Sequence, residues 1–136
     1  MQYWLIKTEP STWSWKDQVS KKTTFWDGVR NYQASNNLKA MKVGDLCFFY
    51  HSVSDRQIVG IVEVTQTYHP DPSDKTGRFG MVEVKAVKPL IKPVSLEAIK
   101  HESRLAHLAL VRQSRLSVMS IDKAAWSLIL QMGDSA

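Results

Sequence analysis

Apolar runs along the chain predict a set of β-strands. The first run, at 3–7, ends at a turn that contains Pro10, because proline cannot continue a strand ladder. The segment at 46–51 is an unbroken apolar and aromatic run, and segments in which apolar and polar residues alternate follow at 57–68 and 79–89. Both patterns are typical of β-strands.

Helical spacing and capping residues predict helices around these strands. Apolar residues recur every three or four positions at 31–41, which indicates one buried helix face, and Gly44 is expected to supply the left-handed stop. The segment 24–33 has no clean period, and its Asp27-Gly28 pair predicts a tight turn. Further helices are expected at 14–19, 95–101, 105–111 and 122–131. Three of these have a Ser or Asp cap.

These elements predict an α+β fold with helices packed around a mixed β-barrel. A short strand at 116–119 completes the set, and the long strands are expected to close around Gly60, since a flat ladder would leave both edges bare. The chain of 136 residues suits one domain, 1–136. The single cysteine, Cys47, excludes an internal disulfide framework, and no Cys/His cluster has zinc spacing.

Composition narrows the setting and the partners. No stretch of 18 apolar residues and no signal peptide is present, so we expect a cytosolic protein, or a nuclear one in a eukaryote, without a membrane partner. Lys and Arg outnumber Asp and Glu by 18 to 13, a net charge of +5. This excess permits an anionic partner such as nucleic acid or a phosphorylated small molecule, although many proteins with similar charge bind neither.

The segment 26–33 carries the residue types that hold a planar heterocycle. Trp26 precedes a turn, and Arg30 and Asn31 follow it with directional donors and acceptors. A flipped or free base is held by stacking on an aromatic face and by hydrogen bonds to its edge. The alternative is structural: Trp26 would cap the core below a helix start, and Arg30 would pair with Asp27.

The residues offer little support for catalysis. Cys47 and His51 lie four residues apart on one expected strand, about 13 Å from each other, so they cannot form a nucleophile–base pair. Cys47 is expected to be buried, whereas His51 ends a strand beside Ser52 and has either a binding or a capping role. The sequence has no phosphate loop, no paired carboxylates and no metal motif, so neither a cofactor nor a metal is expected.

Five motifs follow one another in order between about residues 2 and 131. They are Tyr3-Trp4-Leu5-Ile6-Lys7-Thr8-Glu9-Pro10, Trp26-Asp27-Gly28-Val29-Arg30-Asn31-Tyr32-Gln33-Ala34, Met41-Lys42-Val43-Gly44-Asp45, Phe49-Tyr50-His51-Ser52 and Arg115-Leu116-Ser117-Val118. Together they resemble the EVE domain family. Ser35 stands where an arginine is common in that family, and the loop at 71–78 looks shorter than in many members.

The resemblance implies a PUA-like β-barrel, related to the YTH and ASCH domains, with a pocket for a modified nucleobase. Trp26 would then stack on the base, Asn31 and Ser52 would read its polar edge, and Arg30 would join the cations around it. The pocket residues expected on this basis are Lys7, Thr8, Trp26, Arg30, Asn31, His51, Ser52 and Arg115.

Residues and resemblance together predict a non-catalytic module that binds nucleic acid carrying a modified base, or a free modified nucleotide. The modification would be on cytosine or adenine, in DNA or RNA. Two alternatives stay open: an enzyme or accessory subunit that acts on nucleotides, with His51 as acid or base, and a small-molecule sensor that never meets a polymer. The oligomeric state also stays open.

Overall fold

The computed structural model describes residues 1–135. Within this range one six-stranded sheet runs in the order β2-β5-β4-β3-β1-β6. The strands are β1 Tyr3–Thr8, β2 Thr23–Trp26, β3 Leu46–His51, β4 Gln57–Pro70, β5 Gly80–Ser95 and β6 Val118–Ile121. The helices are α1 Trp15–Lys21, α2 Tyr32–Ala40, α3 Leu96–His101, α4 Ala109–Arg112 and α5 Lys123–Met132, with a 3-10 turn at Ser103–Leu105.

The α+β class is confirmed, but the sheet is open. β1 pairs in parallel with β3 and antiparallel with β6, and the remaining pairs are antiparallel. Across residues 1–135 the hydrogen-bonded order ends at β2 on one side and β6 on the other. The two edges are only four residues long each, and short edges limit unwanted strand pairing without barrel closure.

The main strands and the capped helices lie where the patterns predict them. Ser14, Asn31, Ser95 and Asp122 each accept a hydrogen bond from a backbone N–H in the first turn of the following helix, as expected for Ser, Asn and Asp at this position. In the described part of the chain no helix is long and apolar enough to cross a membrane.

Two local predictions were wrong, and one strand was not predicted. The segment 105–111 is broken into a 3-10 turn and α4. Gly44 has a φ of 94°, yet α2 already ends at Met41, so Gly44 shapes the turn into β3 and does not stop the helix. β2 lies inside the segment that has no clean period, because its four residues are held by pairing with β5 (Trp26 opposite Val82).

The core lies against the faces of β1 and β3. Phe48 stacks on Trp126 of α5 at 3.8 Å between ring centroids, and Trp126 also stacks on Tyr3 at 4.5 Å. Cys47, the residue before Phe48 in β3, is fully buried, as predicted. Burial, with a smaller effect from the charge of Asp45, strongly raises the pKa of its thiol, so the group stays protonated.

Gly60 lets the indole of Trp15 lie directly on β4. A methyl group on Gly60 would come within 2.6 Å of three ring atoms of Trp15, and Trp15 packs edge-on against Phe49 at 5.2 Å. The chain after β1 is therefore anchored to the sheet by one close aromatic contact.

We expect Gly60→Ala to lower the free energy of unfolding by about 1 to 3 kcal/mol, because a well-packed site must shift to accept the methyl group. Urea unfolding measures the change. In a Trp15→Leu background the ring that causes the clash is absent, so Gly60→Ala should cost clearly less. Equal costs in the two backgrounds would contradict the contact.

Candidate functional site

A cavity of about 400 Å³ opens beside the carboxyl end of β1. This volume is within the range of small-molecule sites. Its walls come from the end of β1, the turn before α1, the segment from β2 to α2, and the residue before β6. The lining residues include Lys7, Thr8, Trp13, Phe25, Trp26, Gly28, Arg30, Asn31 and Ser117.

Aromatic side chains form one wall of the cavity. Trp26 is 8% exposed and its ring packs edge-on against Phe49 at 5.6 Å, so it belongs to the core and to the cavity wall together. Phe25 is 43% exposed and also lines the cavity. Trp13 is held in place because its Nε1 donates to Oε1 of the buried Gln18 at 2.9 Å. The wall offers apolar faces of the kind that stack on a base.

Lys7 and Thr8 supply polar groups at the end of β1. The Lys7 Nζ donates to the carbonyl of Ser114 at 3.0 Å, and burial lowers the pKa of this ammonium. The Thr8 hydroxyl donates to the carbonyl of Trp13 at 2.9 Å. Both side chains thus tie β1 to the chain segments on either side of the cavity.

A buried carboxylate fixes the segment between β2 and α2. Asp71 Oδ2 accepts hydrogen bonds from the backbone N–H of Gly28 at 2.9 Å and from Arg30 Nη1 at 3.1 Å, while its Oδ1 accepts from Ser73. Burial acts to raise the pKa of Asp71, but the bonds from Ser73, Gly28 and Arg30 outweigh it and hold the pKa well below its ordinary value. Arg30 therefore pairs with Asp71, not with Asp27.

Asn31 caps α2 with its side-chain oxygen and also lines the cavity. Its Oδ1 caps α2 by accepting from the N–H of Ala34 at 2.9 Å. The residue lines the cavity, and an Asn side chain keeps two amide donors when its oxygen is used. The cap orients those donors, because it fixes the side chain.

His51 does not line the cavity within residues 1–135. Its Nε2 accepts from the backbone N–H of Trp15 at 3.0 Å, and its Nδ1 lies 3.0 Å from Asp55 Oδ2. This arrangement places the proton on Nδ1. Both ring nitrogens thus have partners inside the protein, and the ring positions the segment that carries Trp13.

Ser52 and Arg115 line a second cavity of about 550 Å³. This cavity adjoins the first, since Lys7, Thr8 and Ser117 line both. Of the eight expected site residues, five surround the first cavity. They are Lys7, Thr8, Trp26, Arg30 and Asn31.

Sequence reasoning did not select Phe25, Trp13, Ser117 or Asp71 for the site. Phe25 borders the motif that begins at Trp26, and Ser117 lies inside the motif at 115–118, but neither was given a role. Asp71 lies 43 positions from Gly28 in a polar loop, and no local pattern in the sequence indicates that such a residue will be buried. Ser35 is itself buried, and its hydroxyl lies 3.1 Å from the Tyr68 hydroxyl.

The model of the EVE domain matches residues 2–132 of the chain. The chain belongs to the EVE domain family. Thymocyte nuclear protein 1 from Rattus norvegicus is 33% identical over an alignment of 167 positions, which covers 98% of this EVE domain chain and 74% of that protein.

Solved structures show the same fold. An NMR structure of a protein from Rhodopseudomonas palustris has 47% identity and a TM-score of 0.94, and the match covers 98% of this EVE domain and 94% of that chain. The human thymocyte nuclear protein 1, solved in complex with DNA containing 5-methylcytosine, has 28% identity and a TM-score of 0.92, with coverage of 100% and 99%.

Asp71→Asn should lower the free energy of unfolding of this EVE domain at neutral pH by about 1.5 to 3 kcal/mol, the contribution of one charge-assisted hydrogen bond. Because the folded-state pKa of Asp71 is depressed, its stabilising effect is present above the unfolded pKa of about 4 and is lost as the pH falls through the folded value. The difference between wild type and variant should therefore shrink below pH 4. Urea unfolding at pH 7 and pH 3 measures it, and Glu97→Gln, at an exposed carboxylate, serves as the control.

His51→Ala should lower the free energy of unfolding by about 1 to 3 kcal/mol, since it leaves the Trp15 N–H without its acceptor. The exposed His101 is the matched control, and His101→Ala should stay within about 0.5 kcal/mol of wild type. A His51→Ala protein as stable as the control would show that the ring does not hold the turn before α1.

Proposed function

We propose that this EVE domain binds a modified nucleobase in the first cavity and leaves it chemically unchanged. The observation that carries the proposal is the combination of an aromatic wall with amide and cationic donors in one cavity of about 400 Å³. Stacking holds any base by its flat face, and directional donors select among bases by their edges.

In this proposal the aromatic wall and the polar groups have separate roles. Trp26 contacts the face of the base. The amide of Asn31, fixed by its capping bond, reads the polar edge, and Thr8 and Lys7 line the opposite side. Arg30 is held by Asp71 and faces the rim, where a phosphate passes. Ser52 and Arg115 contact the ligand from the second cavity.

The human relative suggests which modification to test first. That protein was solved with DNA containing 5-methylcytosine, so we propose a methylated cytosine in DNA as the first candidate ligand for this chain. For the cellular location we propose the cytosol, or the nucleus in a eukaryote, the latter because the rat relative is named a nuclear protein.

Two contacts of His51 support binding without reaction. A general acid or base must reach the reacting group and exchange a proton with it. Both nitrogens of His51 are instead engaged by Trp15 and Asp55. Cys47, the other nucleophile considered, is buried and its pKa is raised, which leaves the unreactive thiol form.

Trp26→Leu tests the aromatic wall, because it removes the ring from the cavity and keeps an apolar side chain in the core. We expect a loss of roughly 1 to 3 kcal/mol in binding of a 5-methylcytosine oligonucleotide, the typical contribution of base stacking. Fluorescence anisotropy measures affinity. Trp26→Ala is a poorer probe, since a buried aromatic costs roughly 3 to 5 kcal/mol of stability when truncated.

Val87→Ala, at an exposed apolar residue of β5 outside both cavities, is the matched control and should bind as wild type. Equal affinity for methylated and unmodified oligonucleotides would contradict base recognition. Mass analysis after prolonged incubation should return the oligonucleotide unchanged, and a product that depends on His51 would establish the enzyme alternative.

A further inference from the structure

The second cavity has a different chemical character from the first. Four cations line it, namely Lys7, Arg56, Lys100 and Arg115, against one carboxylate, Glu9. Lys7 and Arg30 in the first cavity are opposed by Asp27. Such an excess of one sign of charge in a concave site attracts an anion.

The cations of the second cavity are available to a ligand. Arg56, Lys100 and Arg115 are exposed. Within residues 1–135, the side chains of Lys100 and Arg115 make no hydrogen bond or ion pair, and Arg56 uses only its Nε, which donates to the carbonyl of Val53 at 3.2 Å. The terminal nitrogens of both guanidinium groups are thus free to donate to phosphate oxygens.

A strained turn holds Arg56 at this surface. Val53 has a φ of 72° and Arg56 a φ of 49°, a left-handed conformation that is a genuine outlier for a β-branched residue such as valine. The Arg56 carbonyl accepts from the N–H of Leu96 at 2.8 Å, which ties the turn to the start of α3 and so to Lys100. Strained residues of this kind cluster at ligand clamps and active sites.

The position of the cavity indicates the kind of anion. It is continuous with the proposed base site through Lys7, Thr8 and Ser117, and its floor includes the apolar side chains of Tyr50, Leu96 and Leu110. A nucleotide joined to a base in the first cavity would present its sugar to this floor and its phosphate to the cations. A free base or nucleoside has no phosphate that would reach these cations.

We infer that the second cavity, with Arg56 and Lys100, binds the sugar-phosphate backbone of the strand that carries the recognised base. The inference rests on the proposed function and deepens it: one ligand uses both cavities, with its base in the first and the phosphates of its strand in the second. Phosphate contacts set affinity and position, whereas the first cavity reads the base.

The test compares salt dependence in wild type and in an Arg56→Gln/Lys100→Gln double variant. Each phosphate contact contributes about 0.7 to 0.9 to the slope of log affinity against log salt. Between 50 and 200 mM salt, wild type should therefore lose about tenfold more affinity for a 5-methylcytosine oligonucleotide than the double variant does. Affinity for free 5-methyl-2′-deoxycytidine should be the same in both proteins.

Two control proteins distinguish the effect of charge at the second cavity from the effects of a disturbed fold and of a lower total charge. Arg56→Lys/Lys100→Arg keeps both charges and should keep most of the wild-type slope. Lys42→Gln/Lys123→Gln also removes two cations, but away from the cavities. Lys42 precedes β3 and Lys123 follows β6, so both lie near the start of β1, whereas the cavities lie at its end. This variant should keep the wild-type slope.

Parallel slopes for wild type and the Arg56→Gln/Lys100→Gln variant would overturn the inference, as would an equal loss in the Lys42→Gln/Lys123→Gln protein. A weaker affinity for the nucleoside would also overturn it, because the second cavity would then belong to the base site. Absence of salt-dependent binding by wild type would do the same. A slope difference without preference for methylated oligonucleotide would support the backbone site and reject the proposed base recognition.

Discussion

The parallel pairing of β1 with β3 is the constraint on which the site depends. Parallel strands end at the same edge of a sheet, so Thr8 and His51 become neighbours although they are far apart in the chain. The N–H of Ser52 then donates to the carbonyl of Thr8 at 2.8 Å, which extends the pairing beyond the strands. Each cavity uses the end of β1 as one wall, and different neighbouring segments complete the two and give them different charge.

The segments that complete the cavities are held by side chains from distant parts of the chain. Asp71 fixes the segment that carries Trp26 and Arg30, and His51 fixes the turn that carries Trp13. Both act through hydrogen bonds to backbone N–H groups, which define position better than a contact between flexible side chains does. A cavity wall built from loops thus acquires the rigidity that stacking on a planar ligand requires.

Local sequence patterns predicted the strands and helices that are specified by residues close together in the chain. The apolar run of β3 and the capped helix α5 are specified within a few residues, and so are the caps Ser14 and Ser95. β2 could not be predicted, since its four residues become a strand only by pairing with β5. Closure of the sheet was expected from the cost of bare edges, but two short edges reduce that cost without closure.

For the site, residue types predicted which residues lie at the cavity better than they predicted what each residue does there. Trp26, Asn31 and Lys7 line one cavity, because Trp26 and Lys7 lie at the ends of β2 and β1 and Asn31 caps α2. His51 was selected for the same reason, yet it serves the architecture, and only its contacts with Trp15 and Asp55 reveal this. The long-range bond from Asp71 to Gly28 had no counterpart in any local pattern.

The burial of Cys47 makes the natural chain a suitable background for site-directed labelling. Its thiol is fully buried and its pKa is raised, so maleimide and iodoacetamide reagents, which attack the thiolate, will not modify the folded protein at neutral pH. A cysteine introduced at Thr12, an exposed residue on the rim of the first cavity, would then be the single reactive thiol. A fluorophore attached there would report events at the cavity without removal of any native residue from the core.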